Sequence, residues 1–193
     1  MKRSRAVTIS MSLFAGLAVS STCLMGAASA APSKWEPFHE EYGPEVSRSF
    51  CGVSGLTVEQ RVVVDGRSRT TARGADRLAY YREHVRATDT WTNVGTGEFV
   101  TVETAYRGGA HRVTDNGDGT LTVVVQNTDN SVYYDADGEV IARDAGLSRF
   151  ELLFDHAGTP GDPSDDEFLA FVGVLKSVGR DDGFCTTLVK ALA

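Results

Sequence analysis

Hydrophobic and polar positions alternate with a period of two along most of the chain beyond residue 50. Leu56, Val58, Gln60 and Val62 stand against Thr57, Glu59, Arg61 and Val63, and the run meets Asp65-Gly66, a strong hairpin signal. "DTWTNVGTGEFVTVETAY" predicts a second hairpin turning at 93–97. "HRVTDNGDGTLTVVVQN" predicts a third turning at 116–119, and "SVYYDADGEVIAR" a fourth turning at 135–138. "SRFELLFDH" adds another strand. Turn signals at intervals of roughly 10 to 20 residues predict a mainly β fold. The expected architecture is a single antiparallel β-barrel, with a β-sandwich as the alternative. "CTTLVKALA" adds a short C-terminal helix.

Two stretches fit either period. In "ADRLAYYREHVRA", Leu78, Tyr81 and Val85 make a helical stripe, but the stretch runs into β-branched "TDTWT" without a stop signal, so a strand is expected. In "DPSDDEFLAFVGVLKSVG", Asp162, Pro163 and the following carboxylates suit a helix start, while Gly173 and the Phe, Val and Leu content favour a strand. A turn of helix leading into a strand is expected over 163–178. Residues 31–50 carry Pro32, Pro37 and Pro44 and many charges, and read as an arm or linker whose Trp35, Phe38 and Tyr42 can pack on one side. The β domain is expected over 51–193.

The start of the chain changes the picture of compartment. Lys2, Arg3 and Arg5, an apolar run from Ala6 to Val19, and Ala28-Ser29-Ala30 make a secretory signal peptide over 1–30. The apolar run is too short for a membrane anchor, which needs about 20 residues. A lipid anchor on Cys23 is disfavoured, because Ser20-Ser21-Thr22 lack the large aliphatic residue such signals carry. A secreted, monomeric protein with no membrane association in its mature form is expected. The formal charge of −7 becomes three units more negative once the leader's basic residues are gone. Such a chain repels nucleic acid and anionic membranes. Of the three cysteines, Cys23 leaves with the leader, and Cys51 and Cys185 form an even pair in an oxidising compartment. Their disulfide would close a loop of roughly 135 residues and stabilise the fold by at most about 5 kcal/mol.

Three stretches carry candidate chemistry. "FDHAGTPGDPSDDEF", residues 154–168, holds five carboxylates and a histidine. Weak calcium binding by Asp162, Asp165 and Asp166 is one reading, but the spacing lacks the alternate ligands and closing glutamate of a helix-loop-helix calcium loop. A turn is the simpler reading, there and in "DNGDGT" at 115–120. Asp155 and His156 are adjacent and point to opposite sides of a strand, so they do not form a catalytic pair. No Gly-x-Ser-x-Gly elbow is present, and carboxylate pairs in an acidic chain are too common to single out. In "YYREHVR", Tyr80, Arg82, His84 and Arg86 share one face of a strand, and Ala79, Tyr81, Glu83, Val85 and Ala87 the other. If the first face points inward, it lines a pocket for a carboxylate-bearing ligand. If the second does, the basic row is solvated, which is the preferred reading. His111 and His39 do not stand out.

Cys51-Gly52, the Thr92-Asn93-Val94-Gly95-Thr96-Gly97 turn, the Gly158–Asp166 segment and a cysteine near the C-terminus together resemble uncharacterised secreted bacterial single-disulfide β-domain proteins. The resemblance spans roughly residues 51–190 and implies a small β-barrel or sandwich without naming an activity. A more distant likeness in pattern is to allene-oxide-cyclase and dirigent-type barrels, which hold apolar ligands, and none of their functional residues can be carried over. The expectation is therefore a non-enzymatic extracellular module that needs no cofactor and binds a small molecule or a cell-envelope component. The alternatives are a cyclase- or isomerase-like enzyme using Tyr80, His84 or Arg86, and a structural or interaction protein of the cell envelope.

Overall fold

The structure, a computed structural model, describes residues 34–180 and 183–193. The leader expected over 1–30 lies outside the described residues. Seven strands follow in order: β1 (Glu36–Arg48), β2 (Thr57–Arg73), β3 (Leu78–Asn93), β4 (Phe99–Asp115), β5 (Thr120–Tyr134), β6 (Val140–Asp155) and β7 (Glu167–Arg180). A 3-10 turn (Phe50–Gly52) separates β1 from β2, and helix α1 (Phe184–Leu192) ends the fold. Every strand pairs antiparallel with its neighbours in sequence, giving one sheet in the order β1 to β7. The mainly β, antiparallel class with a short C-terminal helix is what the periodicity predicts.

Local chemistry explains the turns at 93–97, 116–119 and 135–138. Asn93 accepts the Gly95 N–H through Oδ1 at 2.8 Å, Asp115 accepts the Gly117 N–H at 2.8 Å, and Asp135 accepts the Glu139 N–H at 2.8 Å. Each side chain satisfies the corner that follows it.

Asp65-Gly66 is not a turn. β2 runs through it, with Asp65 opposite Arg86 and Gly66 opposite Val85. The glycine serves a different need. A Cβ there would lie 2.3 Å from Cζ of Phe38, so the missing side chain seats that ring. Phe38 belongs to β1, the segment expected to be an arm, which pairs with β2 from Glu36↔Ser68 to Arg48↔Thr57. The β2–β3 turn falls instead at 74–77, where Gly74 and Arg77 take positive φ. The turn of helix expected near 163 is also absent. Asp162 accepts the Ser164 N–H at 3.1 Å, which holds a turn, and the chain enters β7 directly.

The sheet is open. Among the described residues β1 and β7 do not pair, so the expected closure into a barrel is not formed. β1 is poorly suited to a closing ladder, since Pro37 and Pro44 lack N–H groups. β7 slips register against β6 at three points, leaving Leu169, Val172 and Leu175 as extra residues.

The core lies where α1 meets the sheet. Leu188 and Leu192 are fully buried against Phe50, Leu56, Val58, Trp91, Val100, Val102, Tyr133 and Ala142, which come from the 3-10 turn, the segment just before β2, and β2 to β6. Each buried leucine contributes about 1.5–3 kcal/mol. Phe50, Trp91 and Phe184 make a ring cluster with centroids 5.3–6.2 Å apart. The Cys51–Cys185 disulfide joins the 3-10 turn to α1, with Cα atoms 5.6 Å apart. No helix among the described residues is long and apolar enough to cross a membrane.

Candidate functional site

Strand register sorts the side chains of the sheet into rows. On β3, Val85, Asp89, Trp91 and Asn93 are buried, while Arg82, Arg86 and Thr88 are exposed on the opposite face. The lowest row of the inner face is Trp91 and Val100, in contact with the α1 core. The next is Val62–Asp89–Val102–Tyr133–Ala142. Above it come Val64–Ala87–Thr104–Ser131–Asp144 and then Gly66–Val85–Tyr106–Asp129–Gly146. The inner face thus turns from apolar to polar with distance from the helix.

The polar groups of these rows are organised. Gln60 Nε2 donates to Asp89 Oδ1 at 2.8 Å, Thr104 and Ser131 hydroxyls bond at 2.8 Å, and Tyr133 donates to Asp144 Oδ2 at 2.8 Å. Glu83 accepts from Tyr81 at 2.5 Å and from Tyr106. Burial holds the Asp89 carboxyl above the usual carboxylate range, against the pull of Gln60. Asp129 is raised as well, by burial and by the charge of Asp144. The Tyr106 hydroxyl is pushed far up by burial and by Glu83, and Tyr81 follows for the same reasons. Perturbed groups gathered on one face are a recurring sign of a binding site.

An open cleft of about 380 Å³ lies at the end of these rows, lined by Asp129, Asp144, Gly146, Ser148, Ser177 and Gly179 among others. Its floor needs glycine. A Cβ at Gly179, where φ is 148°, would sit 2.2 Å from the Ala145 carbonyl oxygen. The volume lies in the range of small-molecule sites, about 300–1,000 Å³.

The residues singled out from sequence lie elsewhere. Tyr80 accepts the Val113 N–H at 3.2 Å and packs on a small cluster of Ala110, Val113 and Leu121. Arg82, His84 and Arg86 share the outer face, opposite Val85, and line no part of the cleft. The basic row therefore does not form an interior pocket, because α1 packs on the other face.

The acidic loop is held together by its own backbone. His156 is buried, accepts the Gly158 N–H at Nδ1, 3.2 Å, and places Nε2 3.9 Å from Asp115. It docks on the 115–120 turn through its N–H to the Gly119 carbonyl at 3.1 Å. Asp155 instead accepts the Ala157 N–H. Asp162 is held low by its bonds to Ser164, Asp165 accepts from the Thr159 hydroxyl, and Asp166 is raised to about 6 by burial and by Asp165. Asp162, Asp165 and Asp166 do not converge, and no group of His, Cys, Asp and Glu among the described residues is arranged to hold a metal.

Asp89, Asp129 and Asp144 were missed by sequence reasoning. The available signal was parity, since Asn127, Asp129, Ser131 and Tyr133 continue the odd-numbered side of β5 begun by Leu121. No protein-family model, curated protein or solved structure matches the chain.

Proposed function

We propose that this is an exported binding module that holds a small, hydroxyl-rich molecule in the cleft between β5, β6 and β7. The reading is supported above all by one observation: Asp129, a part-buried carboxylate with a raised pKa, lines a polar cleft beside Asp144 and two serine hydroxyls. Carboxylates and hydroxyls accept and donate to sugar-like hydroxyls, and Leu147 and Val178 supply apolar walls. We read the sheet as a half-closed barrel curled around α1, since one core cluster takes residues from β2 to β6. We favour this reading over an enzyme built on Tyr80, His84 and Arg86, because Tyr80 packs on Ala110, Val113 and Leu121 while Arg86 is exposed.

Native mass spectrometry of the protein secreted by its own host tests the reading. A nonmetal mass that is lost on denaturation, and absent from Asp129→Asn, supports it. A bare chain in every preparation, together with no change on adding simple polyols at millimolar concentration, counts against it. A chain beginning at Ala31 would establish the leader.

A second reading, an interaction protein, is favoured by β7. Phe168, Leu169, Phe171, Val172, Val174, Leu175 and Val178 are each between 43% and 56% exposed on this edge strand. Apolar surface of this extent usually meets a partner. Concentration-dependent sedimentation, abolished by Val172→Glu, would favour this reading.

A further inference from the structure

The outer face carries a second feature, on the opposite side of the sheet from the cleft. Trp35, just before β1, stands beside two guanidiniums, with Cζ of Arg69 4.7 Å and Cζ of Arg67 5.1 Å from its ring centroid. The His84 ring lies 4.6 Å from the same indole. Arg67 is the direct cross-strand partner of His84 on β2, and Arg107 its partner on β4. Arg69 and Arg82 form the next pair of the β2–β3 ladder. The period of two thus brings four guanidiniums from three adjacent strands around one imidazole.

Among the described residues, Arg67, Arg69, Arg82 and Arg107 form no salt bridge with a carboxylate. Arg61, by contrast, pairs with Glu59 at 2.8 Å. The carboxylate next along β2, Asp65, stands opposite Arg86 and accepts from His39 Nδ1 at 2.8 Å. Arg69 Nε is buried and has no hydrogen-bond acceptor. A buried donor in that state calls for a partner. The His84 Nδ1 accepts from Arg67 Nη2 at 3.3 Å, and burial with the surrounding Arg67, Arg107, Arg69 and Arg82 holds the imidazole below its ordinary pKa. All this occurs in a chain whose net charge is −7.

We propose that Trp35, Arg67, Arg69, Arg82, His84 and Arg107 form a binding site for a phosphate- or sulfate-type oxyanion. The planar forks of arginine match such groups through paired N–H bonds. Trp35 lies against two of the guanidiniums and limits their freedom to move. A bound dianion supplies the acceptor that Arg69 lacks and favours protonated His84. Binding of sulfate, which keeps its double charge throughout, then tightens as pH falls through the His84 titration. The charged groups bearing on that titration are Arg67, Arg69, Arg82 and Arg107, with Arg86, Asp65 and His39 at the margin.

NMR of the disulfide-bonded chain, following the Trp35 indole N–H and the His84 ring protons, tests this with inorganic phosphate, inorganic sulfate, methyl phosphate and acetate at constant ionic strength. The expected result is a saturable shift of both signals with phosphate or sulfate, and an upward move of the His84 titration. Arg67→Gln with Arg69→Gln should weaken the affinity at least tenfold. Arg61→Gln, on the same strand and paired with Glu59, should leave it unchanged. Unaltered Trp91 signals in each variant certify the fold. Tighter binding of methyl phosphate than of inorganic phosphate identifies an ester on a larger molecule, and equal or weaker binding a free anion. Shifts that do not saturate, that survive the double substitution, or that acetate reproduces equally overturn the proposal.

Discussion

The side-chain amide of Asn93, the last residue of β3, donates to the main-chain carbonyl of Leu192, the last residue of α1, at 2.7 Å. The same asparagine accepts the Gly95 N–H. One side chain therefore ends a helix and shapes a hairpin. The closing carbonyls of a helix lack partners within it, so this bond satisfies a buried acceptor. Asn93→Ala should lower stability by about 1–3 kcal/mol, the cost of leaving a buried polar group unpaired. Urea denaturation measures it, and an unchanged midpoint would show that water replaces the amide.

Cys51 and Cys185 tie the two ends of the core. Replacing both by serine should destabilise the fold by about 2–5 kcal/mol. Denaturation with and without reductant gives the same comparison on the natural chain. The variant should be insensitive to reductant.

Asp89 and Asp166 make stability depend on pH in one direction. Both have folded-state pKa values raised by burial, Asp166 to about 6 from 3.8. Between those values the folded chain binds more protons than the unfolded chain, so this contribution to stability falls as pH rises. Asp166→Asn should be more stable than the natural chain above about pH 6, and the difference should vanish below about pH 4. Thermal melts across that range test it. A difference that is constant with pH would point to a packing effect instead.

Gly66 and Gly179 should respond differently to alanine. At Gly66 the obstacle is the far end of the Phe38 ring, which can turn aside. A modest loss is expected, about 1–3 kcal/mol, and Phe38→Ala should relieve it in a double-mutant cycle. At Gly179 the obstacle is the Ala145 carbonyl, and φ is one that side chains rarely adopt. Gly179→Ala should cost more and should open the β6–β7 ladder, which amide hydrogen exchange at Gly146 and Val178 would register.

How much could be read from sequence followed from how local each cause is. The turns after Asn93, Asp115 and Asp135 are built by side chains that bond within a few residues, and they were legible. Gly66 was misread because its reason, Phe38, is 28 residues away on a strand mistaken for an arm. The shared face of Arg82, His84 and Arg86 followed from the period of two, but which side that face takes depends on where α1 packs. The inner rows joining Asp89, Ser131 and Asp144 exist only through the register of four ladders, which no single segment encodes.

Each strand finds its partners immediately before and after it in the chain, so the sheet can grow hairpin by hairpin as the polypeptide emerges. The core cannot. Leu188 and Leu192 follow every strand, and until they arrive Trp91, Val100 and Val102 face water across a finished sheet. α1 acts as a latch that is synthesised after every strand. A chain interrupted before residue 184 would carry all seven strands, no disulfide partner for Cys51 and an unsealed inner face, which is the form that chaperones and proteases recognise.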